Sequence, residues 1–388
     1  MTTAGDSGWD ALAGLKVLDF TPLLPGPFAT EILADLGADV IKIEPPTGDF
    51  ARRLPAVDFE GVNRNKRSFV LDLKADGAPA VIARLADWAD VAVEGFRPGV
   101  VDRLGIGYAA LKAHNPALIY CSLSGYGQTG PWRLVPGHDG NYLAASGALG
   151  LSGHLMGPPR RMGVPVADCA GGYMAAVAIL AALAKRTATG AGAYLDVSLT
   201  EAALAMTAAR GVEADPEARL HLFAENDLFA CADGRQIAMG IVEEHFWAAF
   251  LDAAGDLEPA LRDARFADTN ARRANGPALA ALLADLFARQ SSDAWLELFA
   301  GYDIPASRVL TPTEAATSDQ TAARGLAVEI DGRLHVPFPF LADGAPAGRV
   351  RFPAPALGQH TDAILNELGF AAAEVAALKS DGTVGLRD

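Results

Sequence analysis

The feature that most constrains the fold is an apolar segment, Ala175 to Ala184, that carries no charged side chain on any face. In a soluble chain such a helix is enclosed by protein on all sides, so we expect it at the centre of a domain. Pro165 and Asp168 indicate its start, and Gly190 indicates its end before a predicted strand at 194–199.

Asp168 at the head of this helix has two interpretations. As an N-cap, its side chain would accept a hydrogen bond from a free backbone N–H group. The second interpretation rests on Gly171 and Gly172 in the first turn, where each glycine costs about 1 kcal/mol relative to alanine. A close approach to the backbone would explain that cost, and the exposed N–H groups could then stabilise an anion beside the carboxylate.

The order of predicted elements indicates an α/β fold. A strand at 15–20, a helix, and a strand ending near Glu44 form a βαβ unit, and further strands at 68–73, 91–94 and 118–123 alternate with helices, which is typical of a parallel sheet. A change of pattern with a hairpin signal at Asp233–Gly234 opens a smaller domain of mainly helices. We expect a large domain, a small domain and a C-terminal return to the large domain, over 1–214, 215–325 and 326–388.

Composition excludes several classes of function. The net charge of −15 argues against non-specific nucleic-acid binding. The N-terminal residues resemble no signal peptide, and the apolar runs fall short of the ~20 residues of a membrane span. Cys121, Cys169 and Cys231 lack paired spacing and companion histidines, so we expect no disulfide and no metal site, in a reducing cytoplasm. The first strand–helix turn lacks the G-x-G-x-x-G motif of dinucleotide-binding folds, which argues against NAD as a cofactor.

Candidate catalytic groups lie in and beyond a Gly/Pro-rich loop at 122–142, which follows a strand, where an open α/β sheet binds ligands. His138 lies near the end of this loop, and the alternative to a catalytic role is a structural or solvated histidine. Asp139 stands at a helix entry and is explained by capping. Glu243 follows another strand, where a helix N-terminal carboxylate is the alternative. Spacing alone does not join these residues.

Basic side chains gather at predicted strand ends. Because strand ends on one edge of a parallel sheet lie together, these residues could form a basic rim for a phosphorylated ligand. Solvated surface charge is the alternative for each. The rim would consist of Lys42, Arg64, Lys66, Arg67 and Arg97.

Several motifs follow one another in the order found in a known family. They are LeuLysValLeuAspPhe, LeuAlaAspLeuGlyAlaAspValIleLysIleGluPro, ArgAsnLysArg, GluGlyPheArgProGly, SerGlyTyrGlyGlnThrGlyPro, the helix at Asp168, and LeuGlyGlnHisThrAsp. Through them the chain resembles the family III CoA-transferases (CaiB/BaiF family), which also contain α-methylacyl-CoA racemase. The resemblance implies a Rossmann-like large domain built from both chain ends, a smaller α+β domain and an interlocked homodimer.

The resemblance also implies a chemistry. GlyHisAspGlyAsnTyr and GluGluHisPheTrp resemble the racemase segments, so His138, Asp168 and Glu243 would be catalytic, with Glu243 orienting His138. His138 and Asp168 would exchange a proton on opposite faces of the α-carbon of a 2-methyl branched acyl-CoA, through an enolate held at the helix N-terminus. The alternative is a transferase that moves CoA between carboxylic acids with Asp168 as nucleophile. CoA would be part of the substrate, with no tightly bound cofactor, and the residues expected to bind it are Lys42, Arg64, Lys66, Arg67, Arg97 and Tyr142.

Overall fold

Two units divide the chain in the computed structural model, which describes residues 9–55, 58–153, 155, 157–158, 160–211 and 222–386. The large unit comprises Met1–Ser146, Gly163–Ala205 and Ala316–Asp388, and the smaller unit comprises Gly147–Met162 and Met206–Ala315. The segment 147–162, which the sequence analysis assigned to the large domain, clusters with the smaller unit because Leu155 packs against that unit's hydrophobic core.

The elements follow one another in chain order. The first stretch contains β1 Lys16–Asp19, α1 Pro25–Asp35, β2 Asp39–Glu44, α2 Phe59–Asn63, β3 Lys66–Val70, α3 Ala78–Trp88, β4 Val91–Glu94, α4 Val100–Arg103, α5 Tyr108–His114, β5 Ile119–Ser124, α6 Asp139–Ala145, α7 Val166–Thr189, β6 Ala193–Ser198 and α8 Leu199–Ala208. The middle stretch contains β7 Leu228–Ala230, β8 Gln236–Met239, α9 Glu244–Ala254, α10 Thr269–Ala274, α11 Gly276–Phe287, α12 Ser292–Phe299, β9 Ala306–Arg308 and α13 Pro312–Ala316. The last stretch contains α14 Asp319–Ala323, β10 Val328–Ile330, β11 Arg333–His335, β12 Leu341–Ala342, β13 Ala345–Pro346, α15 Thr361–Glu367 and α16 Ala372–Ser380.

A six-stranded sheet of order β3-β2-β1-β4-β5-β6 organises the large unit, and all of its strands are parallel. This confirms the α/β class and the parallel sheet predicted from the alternation of elements. Because the strands are parallel, the loops after β3, β4 and β5 leave the sheet at the same edge, as expected for a ligand site in such a fold.

The long apolar helix α7 packs against α1, β5 and β6. By length and composition it is apolar enough to cross a membrane, so the expectation that every apolar run falls short of a membrane span is wrong for this segment. The expectation that protein covers it on all sides is also wrong within this chain. Tyr173, Met174 and Val177 form an exposed stripe, and Val177 is 60% exposed.

Gly171 and Gly172 let protein, rather than a ligand, approach the first turns of α7. A Cβ at Gly172 would lie 2.7 Å from the Phe28 ring and 2.9 Å from the carbonyl oxygen of Pro25, both on α1, and a Cβ at Gly171 would collide with Leu199. The close approach that the two glycines predicted is therefore helix packing.

The C-terminal stretch closes the outer edge of β3. The backbone N–H of Ser68 donates to Nδ1 of His360, and Ser68 accepts from the backbone N–H of His360. Further along the same edge Leu71 forms a β-bridge with Val384. Side chains of α15 and α16 enter the core between the sheet, α3 and α5. The LeuGlyGlnHisThrAsp motif therefore has a structural role, since its His360 covers the outer edge of β3.

The smaller unit packs helices against a three-stranded antiparallel sheet of order β7-β8-β9. The hairpin predicted at Asp233–Gly234 joins β7 and β8, and Gly234 has a φ of +76°, a conformation that favours glycine. In its core Phe287 stacks on Phe250 and lies tilted against Trp295.

Candidate active site

Asp168 is the third residue of α7, and Pro165 occupies the N-cap position, so the sequence-based N-cap assignment for Asp168 is wrong. Its side chain is half-buried, and among the described residues no hydrogen bond or ion pair holds its carboxylate. Burial and the negative charge of Asp139 raise the pKa of Asp168 to about 7. A carboxyl group with this pKa both holds and releases a proton at neutral pH.

Asp139, on the neighbouring helix α6, caps α7. Its Oδ1 accepts hydrogen bonds from the backbone N–H of Ala167 at 2.7 Å and of Asp168 at 3.4 Å. The sequence places Asp139 at the start of its own helix, and no local signal shows that it caps the next one. These bonds occupy the N–H groups of Ala167 and Asp168, so these two groups are not open to an enolate oxygen as expected from the sequence.

His138 is the N-cap residue of α6 and is exposed. Its backbone N–H donates to the Asn141 side chain at 3.0 Å, which fixes the start of the helix. Because α6 packs against α7, the structure brings His138 and Asp168 to the first turns of two contacting helices.

Tyr142 links this region to Arg97. Its ring lies edge-to-face with Tyr126, and its hydroxyl donates to the carbonyl of Gly137 at 2.5 Å. Burial, the charge of Asp168 and Tyr126 raise the pKa of Tyr142 to about 12, while the positive charge of Arg97 acts in the opposite direction. The Tyr142 side chain therefore lies within electrostatic reach of both Asp168 and Arg97.

Three of the five residues predicted to form a basic rim lie in buried ion pairs. The ammonium group of Lys42 lies 2.9 Å from Asp49, that of Lys66 lies 3.0 Å from Asp19, and Arg64 binds Glu31 and Asp35. Their charges are neutralised inside the large unit, so the structure corrects their assignment to an exposed phosphate-binding rim.

The two remaining basic residues lie at opposite ends of their strands. Arg67 is near the amino end of β3, where it pairs with Asp39 and Glu367, so the structure corrects its assignment as well. Arg97 follows the carboxyl end of β4 and is exposed, and among the described residues no hydrogen bond or ion pair holds its guanidinium group.

A cavity of about 590 Å³ lies beside the loops that follow β3 and β4. Its lining includes the basic side chains Lys74, Arg103 and His114 together with Asp76 and Asp102. This cavity was not predicted from the sequence, although the argument that placed basic residues at strand ends also applies to Lys74 and Arg103, which follow β3 and β4.

Glu243 belongs to the smaller unit, where it is the N-cap residue of α9 and is exposed. Among the described residues no hydrogen bond or ion pair holds its carboxylate. Glu244 differs, because it accepts hydrogen bonds from Thr269 and pairs with Arg272. Glu243 is thus the unengaged member of this acidic pair, and its predicted partnership with His138 stays a prediction.

Comparison with known proteins gives one consistent group. A family model described as CoA-transferase family III matches residues 12–361. The chain is 37% identical over 377 residues to an acetyl-CoA:oxalate CoA-transferase of Acetobacter aceti, covering 93% of this chain and 96% of the relative. It is 34% identical over 385 residues to human alpha-methylacyl-CoA racemase, covering 96% and 97%. A CAIB/BAIF family protein from Brucella suis superposes with a TM-score of 0.80 at 31% identity, covering 92% of this chain and 99% of that structure.

Proposed function

This chain belongs to CoA-transferase family III, and from that membership we propose that it is an acyl-CoA racemase or epimerase. Its substrate would be a 2-methyl branched acyl-CoA, whose α-carbon is inverted by 1,1-proton transfer through an enolate. The observation that supports the proposal is the position of His138 and Asp168 at the N-terminal ends of two contacting helices. Proton abstraction and return on opposite faces of a carbon require two such groups.

The proton transfers use the properties of each group. Asp168, with a pKa of about 7, holds a proton in one direction of the reaction and accepts it in the other. His138 performs the complementary step, with Glu243 as its proposed orienting partner.

The CoA part of the substrate would be held by positive charge at the carboxyl edge of the sheet. We assign its phosphates to Arg97, whose guanidinium group is exposed and has no described hydrogen-bond or ion-pair partner. Tyr142 would lie between this region and Asp168. We propose no tightly bound cofactor.

A CoA-transferase is the second candidate. Racemase and transferase relatives are about equally similar to this chain, at 34% and 37% identity in two examples, so family membership supports both reactions. The Asp168 carboxylate, held by no described hydrogen-bond or ion-pair partner, could attack a thioester carbonyl in its ionised form. In that reaction the α-proton never leaves.

We also propose that two chains interlock as a homodimer in the cytoplasm. The exposed apolar stripe of Tyr173, Met174 and Val177 supports the dimer, since a face of this kind favours burial against protein.

The deciding experiment incubates the enzyme with a chiral 2-methylacyl-CoA in deuterated water, with and without an added carboxylic acid. A racemase incorporates deuterium at the α-carbon and loses optical purity without the acid, and His138→Ala lowers this rate about 10²–10⁴-fold. Asp168→Ala disables either reaction. CoA transfer to the acid, with an unlabelled α-carbon and an Asp168 adduct trapped by hydroxylamine, would overturn the racemase proposal and support the transferase.

A further inference from the structure

Asp139 differs from an ordinary helix cap in two respects. Its Oδ1 serves the first turn of the following helix, α7, through the N–H groups of Ala167 and Asp168. Its Oδ2 is buried, since the residue is only 3% exposed, and this oxygen has no hydrogen-bond partner in the described part of the chain. A buried carboxylate with an unpaired oxygen is costly, so its retention calls for a reason beyond capping.

We propose that Asp139 is a positioning residue that holds Asp168 in place through the backbone of α7 and sets the electrostatic environment of its carboxyl group by placing a second carboxylate beside it. The first effect is geometric, because both hydrogen bonds fix residues at or next to Asp168. The second effect is electrostatic, since a like charge nearby disfavours ionisation of a carboxyl group. The proposal rests on the proposed catalytic role of Asp168, but both effects are measurable without turnover.

The surroundings of Asp168 contain few other charges that could replace this effect. Tyr142 faces it from α6, Cys169 adjoins it on α7, and burial and carboxylate charge raise the pKa of both of these groups. Glu31 on α1 acts on Tyr173, one turn further along α7. Arg97 acts on Tyr142 with the opposite sign. Apart from burial, Asp139 is the group that raises the pKa of Asp168.

The two effects can be separated by two substitutions. Asp139→Asn keeps an oxygen that can accept from Ala167 and removes the charge, whereas Asp139→Ala removes both. We expect Asp139→Asn to titrate Asp168 about one pH unit or more lower, with little loss of thermal stability. We expect Asp139→Ala to show the same direction of shift together with a lower melting temperature, because the N–H groups of α7 lose their acceptor.

The primary readout is infrared spectroscopy of the whole protein labelled with ¹³C-aspartate, titrated without substrate, with the matching Asp168→Asn spectrum subtracted to isolate the Asp168 carboxyl band. Asp268→Asn is the matched control, since Asp268 caps α10 in the smaller unit through Ala271. The control should leave the Asp168 titration unchanged.

A second readout is the pH profile of kcat/KM for whichever reaction the enzyme performs, whose acidic limb should move with the spectroscopic titration. An unchanged Asp168 titration in Asp139→Asn would overturn the electrostatic part of the proposal. Asp139→Ala with an unchanged melting temperature would overturn the positioning part. Both results are independent of whether the reaction is racemisation or transfer, and a shifted titration in an enzyme with no activity on acyl-CoA would count against the proposed function alone.

Discussion

The ammonium group of Lys66 lies 3.0 Å from the carboxylate of Asp19, and both side chains are fully buried. Asp19 also accepts hydrogen bonds from Thr21 and Thr30, while Lys66 donates to the carbonyl of Pro27. Burial alone would raise the pKa of Asp19, but the charges of Lys66 and Lys42 hold it well below its usual range. This pair ties β1 and β3 to α1, and so helps to fix the helix against which α7 packs.

Lys66→Met should therefore destabilise the protein strongly. The substitution leaves Asp19 buried beside fewer positive charges, which costs about 3–5 kcal/mol when a buried pair is broken. The double variant Asp19→Asn/Lys66→Met should recover part of this loss, because no uncompensated charge remains. Urea unfolding measures both, with the exposed Lys185→Met as a control within about 0.5 kcal/mol of wild type. Strictly additive losses would contradict the pairing.

Arg97→Ala should raise KM for an acyl-CoA and make it less sensitive to salt. A strongly acidic protein must hold a polyanionic ligand with local positive charge, and Arg97 is an unengaged cation at the site. Arg67→Ala is the matched control, because it removes the same charge from a residue paired with Asp39 and Glu367. Steady-state kinetics at two salt concentrations measure KM for both variants. Equal KM changes in Arg97→Ala and Arg67→Ala would show that Arg97 does not bind the substrate.

We expect the ionisation of Glu94 to lower the free energy of unfolding as the pH rises from about 4.5 to 7. Burial raises its pKa from 4.5 to about 7, so the folded protein keeps a proton that the unfolded chain releases in this window. The loss amounts to about 3 kcal/mol above pH 7. Glu94→Gln, which resembles the protonated group, should flatten this dependence and be more stable than wild type at pH 8.

Asp168 contributes a slope of the same sign, so the Glu94 comparison is made in an Asp168→Asn background. Denaturant unfolding at several pH values measures how the free energy of unfolding depends on pH with and without Glu94→Gln. A profile that Glu94→Gln leaves unchanged would show that Glu94 is not protonated in the folded protein.

Gly172→Ala should weaken the packing of α7 on α1. Its Cβ would lie 2.7 Å from the Phe28 ring and 2.9 Å from a backbone oxygen that cannot move away easily. Overpacking of this kind typically costs about 1–3 kcal/mol, which outweighs the gain in helix propensity. Gly301→Ala meets no atom within 4 Å and serves as the control. Thermal unfolding of both variants provides the measurement, and equal stabilities would argue against the close helix contact.

The stripe on α7 should be buried between two chains. Sedimentation should show a wild-type dimer with no folded monomer at micromolar dilution, since interlocked chains cannot separate without partial unfolding. Val177→Asp should disrupt this assembly, whereas Leu257→Asp, at an exposed apolar residue of the smaller unit, should not. A reversible folded monomer of wild type would rule out the interlocked arrangement.

Local patterns predicted most of the elements but not the pairing of their charges. The strand at 91–94 and the strand ending at Glu44 lie where the residue pattern and the turn residues place them. Arg64 and Lys66 looked like surface cations because their partners Asp35 and Asp19 are distant in sequence. Whether a charge faces solvent or a buried carboxylate is decided by tertiary packing, which a single sequence does not display.

The same limit applies to the candidate site. His138 and Asp168 could be singled out from their loop and helix positions, but the cap that Asp139 provides joins residues 28 positions apart. The two glycines of α7 correctly indicated a close approach, yet the residue types could not distinguish a ligand from the backbone of α1. The capping of α7 by Asp139 became visible only through a contact between two helices, whereas the strand-end positions of Lys74 and Arg103 were available in the sequence.

The pairing of residues 358–384 along β3 has a consequence for the order of events during synthesis. The ribosome completes the middle stretch, which contains β7 to β9, before it makes the residues that cover the outer edge of β3 and fill the core with α15 and α16. Until then β3 is an open strand edge above an incomplete core, a surface prone to wrong pairing. The smaller unit can therefore fold on the growing chain, whereas the larger one stays incomplete until residues 358–384 have been made.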